Sequence, residues 1–142
     1  MTSKVLSMRI RPAQDERLRR MARKLGHTAA ETGALLIEEG LRRSEFAFID
    51  FRDTAAGRQA YLQGSRVSVW MAVKIARAYK GDLAKAANHL GRPPMQVQAA
   101  LNYAKAFPQE IETAIQDNDS FTFERLSQML PQAARFEVSE EG

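Results

Sequence analysis

The sequence predicts a mainly α-helical chain with little β-structure; two observations support this fold class, and a third, the distribution of charge, divides the chain into parts. Apolar and polar residues alternate from Leu6 to Arg11, which is the period-two pattern of a strand with one buried face. Most of the chain after residue 12 carries apolar residues at helical spacing, interrupted by Gly and Pro. Charge divides the chain: residues 1–45 hold ten basic and six acidic residues (+4), residues 46–115 nine and five (+4), and residues 116–142 two and six (−4).

The first predicted element is a strand near the N-terminus that has no obvious partner in its own chain. Its apolar face comprises Leu6, Met8 and Ile10, and its other face comprises Val5, Ser7, Arg9 and Arg11. A lone strand leaves its N–H and C=O groups unpaired along both edges. We therefore expect it to pair antiparallel with the same strand of a second copy. The alternative is an edge strand within one chain, with its arginines in solvent.

Two helices follow this strand. The first runs from about Gln14 to Leu25 and ends at Gly26, a common helix stop. Thr28 is a suitable N-cap for the second, and Glu31, three residues later, completes a capping box. The second helix continues to about Arg43.

A unit of this size buries too little apolar surface to be stable alone, which favours a homodimer. A paired ribbon fits the major groove of DNA, where arginine reads guanine, and the free N–H groups at the start of a helix can hold a phosphate. The predicted dimer interface comprises Leu6, Met8, Ile10, Leu36, Ile37 and Leu41. The candidate DNA-binding residues of this unit are Lys4, Ser7, Arg9, Arg11 and Thr28.

Residues 5–43, "VLSMRIRPAQDERLRRMARKLGHTAAETGALLIEEGLRR", resemble the ribbon-helix-helix repressors. The resemblance implies an intertwined dimer whose two strands form an intermolecular ribbon. It also implies base contacts from Ser7, Arg9 and Arg11.

The middle of the chain predicts a small winged helix-turn-helix-like domain, residues 46–115. Residues 46–56 are predicted to be a connector with some strand character, and Gly64-Ser65 between two β-prone runs predicts a hairpin with a tight turn. Two helices joined by a short glycine-containing turn predict the helix-turn-helix. The first two predicted helices are Val69–Tyr79 and a short one from Asp82 to Leu90, which Gly91 stops. A longer helix begins at Pro93-Pro94 and ends before Pro108, and a last one lies within 109–115.

The second helix of the turn carries side chains of the types that contact DNA grooves. These candidates are Arg92, Gln96, Gln98 and Asn102. The alternative is a protein-binding or dimerising module whose polar residues are solvated.

Residues 57–111 are similar to a bacterial domain found in VapB-like antitoxins, which are partnered with PIN-like ribonuclease toxins. The similarity rests on the run Gly64–Val69, on the helix-turn-helix, and on Ala99-Ala100-Leu101 and Tyr103-Ala104. That family often has a paired glycine and a proline before the hairpin, where this chain reads "AAGRQAYLQG". The resemblance implies an antitoxin of a type II toxin-antitoxin system.

The tail, residues 116–142, is predicted to begin with a polar linker, 116–120, and to bind the toxin by folding onto it. Its candidate residues are Phe121, Phe123, Arg125, Leu126, Met129, Leu130, Arg135 and Phe136. The two arginines would approach the acidic metal-binding pocket of a PIN-like toxin. The alternative is a tail that packs against its own middle domain.

No feature of the sequence predicts an enzyme, a metal site or a cofactor. The chain has no cysteine, only two histidines (His27 and His89), no phosphate-cradling glycine loop, and no apolar run near the roughly 18 residues of a membrane span. We therefore expect a cytoplasmic antitoxin that binds operator DNA as a homodimer or higher even oligomer, autorepresses its operon and neutralises a PIN-like ribonuclease. A stand-alone dimeric transcriptional regulator and a dimeric scaffold without DNA binding are the alternatives.

Overall fold

A computed structural model describes residues 3–119, which form six helices and one two-stranded antiparallel sheet. The mainly helical fold class is confirmed. The chain divides into two compact units, Met1–Glu45 and Phe46–Gly142, here called the N-terminal unit and the middle unit. No helix of residues 3–119 is long and apolar enough to cross a membrane.

The N-terminal unit begins with an extended segment, residues 3–11, that has no regular secondary structure in the single chain. A strand is defined by its partner, so the pairing expected for Leu6–Arg11 stays a prediction. Helix α1 (Pro12–Leu25) starts earlier than predicted because proline fits the first turn of a helix, where no N–H donor is needed. The backbone N–H of Arg11 donates to Gln14 Oε1 at 3.0 Å, and Gly26 ends the helix in the left-handed region, with φ 71°.

Helix α2 (Ala29–Glu45) packs against α1, and Thr28 caps it as predicted: its hydroxyl accepts a hydrogen bond from the N–H of Glu31 at 3.1 Å. Within the described part of this unit only Ala22, Thr32 and Glu39 are buried. Two of these three are polar, so the unit has almost no apolar core of its own.

The middle unit begins with a hairpin of β1 (Ile49–Thr54) and β2 (Gly57–Leu62), in which Phe51 lies opposite Ala60. The hairpin predicted to turn at Gly64-Ser65 forms there only as a single antiparallel bridge. The longer hairpin lies upstream, and its first strand falls in the connector for which some strand character was predicted. Its turn is closed by Thr54, whose hydroxyl donates to the Gly57 carbonyl at 2.7 Å, while Gly57 adopts φ 101°.

The Gly64-Ser65 turn exists but follows β2 and leads only to a single bridge between Tyr61 and Ser68. The Ser65 hydroxyl donates to the Leu62 carbonyl at 2.8 Å, which stabilises the turn. The chain then enters a helix at once, so no long second strand forms there.

Four helices complete the described middle unit: α3 (Val69–Ala78), α4 (Leu83–Leu90), α5 (Pro94–Ala106) and α6 (Pro108–Asp119). The first three lie where the sequence predicts them. Asp82 caps α4 by accepting from the N–H of Lys85 at 3.1 Å, and Gly91 ends it with φ 64°.

Helix α6 is longer than predicted. Residues 116–119, predicted as the start of a polar linker, are helical. An ion pair between Lys74 Nζ and Asp119 Oδ1, at 2.5 Å, joins the last residue of α6 to α3, and a second pair joins Arg77 to Glu112. The contact at Asp119 lies within the added turn and links it to α3.

The core of the middle unit lies where the hairpin, α3, α5 and α6 meet. Leu62, Val69 and Tyr103 are fully buried in it, and the ring of Tyr103 packs 4.9 Å from that of Phe107. A smaller cluster, containing Ala86 and Val97, packs α4 against α3 and α5. Buried small and apolar residues therefore hold α4 against α3 and α5.

Candidate nucleic-acid interface

The extended segment 3–11 exposes both of its predicted faces. Its apolar residues are exposed to 72% at Leu6, 59% at Met8 and 43% at Ile10. Lys4, Ser7, Arg9 and Arg11 are also exposed, and within residues 3–119 none of these three cations forms an ion pair. An alternating apolar and basic segment is thus presented to solvent with neither face covered.

Helix α2 adds further exposed apolar side chains to the same unit. Ile37 is 44% exposed and Leu41 is 52% exposed, whereas Leu36 is half-buried. A Cβ placed on Gly33 or Gly40 would meet nothing within 4 Å, so in the single chain neither glycine is required by a close contact. Fully burying one such side chain contributes about 1.5–3 kcal/mol, and a single copy of the unit forgoes about half of that gain at Ile37 and Leu41.

The start of α2 is occupied by a local network of side chains. Thr28 Oγ1 donates to Glu31 Oε1 at 3.0 Å while accepting the Glu31 N–H, and His27 Nδ1 lies 3.3 Å from Glu31 Oε2. The Thr28 hydroxyl is therefore engaged as a helix cap. A phosphate bound there would use the N–H groups of Ala29 and Ala30 and would experience repulsion from the Glu31 carboxylate.

Several other arginines of the N-terminal unit are locally neutralised. Arg19 pairs with Asp15 at 3.1 Å, Arg20 with Glu16 at 3.3 Å and Arg42 with Glu38 at 2.8 Å, each four residues apart on one helix face. This contrast distinguishes Arg19, Arg20 and Arg42 from Arg9 and Arg11, and it supplies matched controls for binding experiments.

Helices α4 and α5, which the sequence predicts to form a helix-turn-helix, place the four candidate residues in two pairs. Arg92 Nε donates to Gln96 Oε1 at 2.8 Å, and both side chains are half-buried. Gln98 Nε2 donates to Asn102 Oδ1 at 2.9 Å, and both of these side chains are exposed. The second pair therefore presents its polar groups to solvent more fully than the first.

The exposed face of α5 also carries residues outside the predicted site. Lys105 follows Asn102 on this face, and Met95, 69% exposed, precedes Gln98. The buried residues Val97, Ala100 and Tyr103 fix the opposite face in the core. Met95 could have been found from its place one turn before Gln98, but an isolated methionine carries no binding signal of its own.

The predicted toxin-binding residues lie outside the described residues. They are Phe121, Phe123, Arg125, Leu126, Met129, Leu130, Arg135 and Phe136. Within residues 3–119, no group of three or more His, Asp or Glu side chains is placed to hold a metal ion.

No protein-family model matches the chain, and no curated protein or solved structure is significantly similar to it. The two resemblances drawn from the residues, to ribbon-helix-helix repressors and to VapB-like antitoxins, therefore stay predictions.

Proposed function

We propose that this chain is a DNA-binding antitoxin that acts as a homodimer, represses its own operon and neutralises a PIN-like ribonuclease toxin. The observation that carries the proposal is the extended segment 3–11, which alternates apolar and basic residues and has no covering partner within residues 3–119.

A second copy accounts for the exposed apolar surface of the N-terminal unit. Antiparallel pairing of two segments would satisfy their backbone groups and place Leu6, Met8 and Ile10 from both copies on one side. Helix α2 supplies Ile37 and Leu41 to the same shared core. The result is a ribbon-helix-helix dimer, in which each copy completes the core that the other lacks.

The same pairing places the cations of both copies together on the opposite side of the ribbon. Ser7, Arg9 and Arg11 would then enter the major groove, where arginine reads guanine through O6 and N7. Within residues 3–119 neither Arg9 nor Arg11 forms an ion pair, which supports this role because no internal ion pair has to be broken on binding.

The middle unit would add a second DNA contact through the winged helix-turn-helix. The supporting observation is the exposed pair Gln98 and Asn102 on α5. Changing both residues to alanine is expected to lower affinity for operator DNA. Gln109→Ala is the matched control, because Gln109 Nε2 donates to Thr113 Oγ1 in a similar pair, four residues apart, on α6. Equal affinities of the two variants would argue that the middle unit does not touch DNA.

The antitoxin role depends on the tail, whose apolar residues and net charge of −4 suit a protein partner better than DNA. Co-expression with the toxin encoded nearby tests it. Leu126→Asp, Met129→Asp and Leu130→Asp together are expected to abolish neutralisation without affecting operator binding. A chain that still neutralised the toxin would contradict the role of the tail, and retained operator binding would then favour a stand-alone regulator.

The direct test of the DNA-binding role is fluorescence anisotropy with the chain's own promoter DNA over a range of salt concentrations. Arg9→Ala combined with Arg11→Ala should weaken binding at least about tenfold and flatten the salt dependence, because a bidentate arginine–guanine pair contributes about 1–3 kcal/mol. Arg19→Ala combined with Arg20→Ala is the control, since both of these residues are paired on α1.

The control variant is expected to bind nearly as tightly as the wild type. Unchanged affinity of the Arg9 and Arg11 variant would show that the ribbon does not read DNA. Absence of any salt-dependent DNA binding by the wild type would leave a dimeric scaffold as the function.

A further inference from the structure

A groove of about 630 Å³ lies between strand β2 and helix α6 within the middle unit. Its lining includes Ala60, Trp70 and Ile111, of which Ala60 and Ile111 are buried at 6% and 3% exposure. Along one side runs β2, which has β1 on only one edge of the two-stranded sheet. We refer to this feature as the β2–α6 groove.

The other side of the groove is a stripe of α6 that contains Glu110, Thr113 and Asp117. These residues are three and four positions apart and therefore share one helix face. Arg58 lines the groove from β2. The lining thus combines apolar residues with acidic residues on the helix and a basic residue on the strand, a surface suited to a peptide that is both apolar and charged.

The path of the chain points to the occupant. Asp117 and Asn118, in the last turn of α6, line the groove, and α6 ends at Asp119. The sequence then continues with "SFTFERLSQML", so the first residues after the helix start at the groove itself. Two aromatic residues, Phe121 and Phe123, come first, and Arg125 follows.

We propose that the β2–α6 groove is the docking site of the chain's own segment Phe121–Arg125. In an extended segment, residues 121, 123 and 125 share one face. Phe121 and Phe123 lie against Trp70 and Ile111, and Arg125 lies beside Glu110. The outer edge of β2 up to Ala60, which pairs with no other strand of residues 3–119, provides the backbone template along which such a segment adds; beyond it, Tyr61 is bridged to Ser68.

The dimensions agree with this register. Glu110 and Asp117 are seven residues apart on α6, or about 10 Å at 1.5 Å per residue. Phe121 and Arg125 are four residues apart, or about 13 Å at 3.3 Å per residue in an extended segment. A segment that enters the groove at Asp117 therefore reaches the level of Glu110 with Arg125.

Charge complementarity favours the same direction. The carboxylate of Glu110 accepts a hydrogen bond from the Tyr103 hydroxyl at 2.7 Å and is itself exposed, so an arginine can approach it from the groove side. Docking also links the groove to the proposed function, because a toxin that binds Phe121 and Phe123 would compete with the groove for them.

Trp70 provides the test, since it is the only tryptophan in the chain and lines the groove. Phe121→Ser combined with Phe123→Ser in the full chain is expected to shift the Trp70 emission to longer wavelength and to increase its quenching by acrylamide. The control is Phe136→Ser combined with Val138→Ser, the same kind of change later in the tail. It should leave the emission wavelength and the acrylamide quenching of Trp70 unchanged. Identical spectra for the two variants would overturn the proposal.

A mixing experiment identifies which copy supplies the segment. Subunits with Trp70→Phe and an intact tail are exchanged with subunits that carry Phe121→Ser and Phe123→Ser. Unchanged emission after exchange supports docking within one chain. If the emission returned to the wild-type spectrum, the groove would accept the tail of a second copy. That result would overturn the proposal of docking within one chain.

Cross-linking keeps the proposal testable if the serine variant fails to fold. The chain has no cysteine, so two introduced cysteines can form a disulfide only with each other or with those of another copy. Thr113→Cys with Phe123→Cys should form an intramolecular disulfide under mild oxidation, whereas Thr113→Cys with Phe136→Cys should not. No preference between the two would contradict the proposal. Neither measurement needs DNA or toxin, so failure here is distinct from failure of the proposed function.

Discussion

The hydroxyl of Tyr103, a residue with no exposed surface, donates a 2.7 Å hydrogen bond to Oε2 of the exposed residue Glu110. The bond joins the last turns of α5 to the first turn of α6. The ring of Tyr103 also packs against Phe46, Phe51 and Phe107 at centroid distances of 5.5, 6.3 and 4.9 Å. One side chain therefore connects the aromatic core to the helix that borders the groove.

Tyr103→Phe is expected to lower the free energy of unfolding by about 1 kcal/mol, the usual net value of one hydrogen bond, because Glu110 can bond to water instead. Tyr103→Ala should cost about 3–5 kcal/mol, since it leaves a cavity among three aromatic rings. Urea denaturation measures both. A loss for Tyr103→Phe as large as that for Tyr103→Ala would contradict the assignment of most of the stabilisation to packing.

The ion pair between Arg77 and Glu112 predicts a pH-dependent contribution to stability. The hydrogen bond from Arg77 is the main cause that holds the pKa of Glu112 below its ordinary value of 4.5, against an opposing effect of burial. A lowered carboxyl pKa means that the stabilisation is complete above the ordinary pKa and is lost as pH falls through the lower folded value. The melting temperature of Glu112→Gln should therefore lie below that of the wild type at neutral pH and approach it in acid.

Arg77→Gln should show the same pH dependence, because it removes the other half of the pair. High salt should narrow the difference in both variants, since both side chains are substantially exposed. A gap between wild type and variants that persisted in strong acid would point to a cause other than this ion pair.

Thr28→Ala is expected to destabilise the chain by about 0.5–2 kcal/mol, because the capping hydroxyl at the start of α2 is lost. Thr28→Ser keeps the hydroxyl and should retain most of the stability. Thermal denaturation followed by circular dichroism compares the two variants. If phosphate binds the backbone N–H groups there, Thr28→Ser should also keep full DNA affinity. A large loss of affinity in that variant would indicate direct use of the threonine side chain.

Met8→Glu should dissociate the proposed dimer, because it places a charge in the apolar face of the ribbon. Val5→Glu is the matched control, since Val5 is 95% exposed and lies on the opposite face of the alternation. Sedimentation equilibrium measures the association of both variants. Dissociation by both to the same extent would indicate that pairing does not follow the predicted register.

The local signals in the sequence were sufficient for the helices. Helix α4 starts after Asp82 and ends at Gly91, because an aspartate cap and a left-handed glycine act within a few residues of the chain. Thr28 caps α2 for the same reason. The alternation in residues 3–11 likewise predicted two chemically different faces, and both faces are exposed in the single chain.

The tertiary structure decided what depends on contacts between distant residues. The longer hairpin turns before Gly64-Ser65, where the Thr54 side chain and Gly57 close a tight turn, and the helical residues 116–119 carry the contact of Asp119 with Lys74 of α3. The groove brings together residues from the hairpin, α3 and α6, which no spacing in the sequence connects. Local chemistry thus fixes the bounds of helices such as α2 and α4 that carry their own caps, whereas the choice of turn, the end of α6 and the groove depend on elements far apart in the chain.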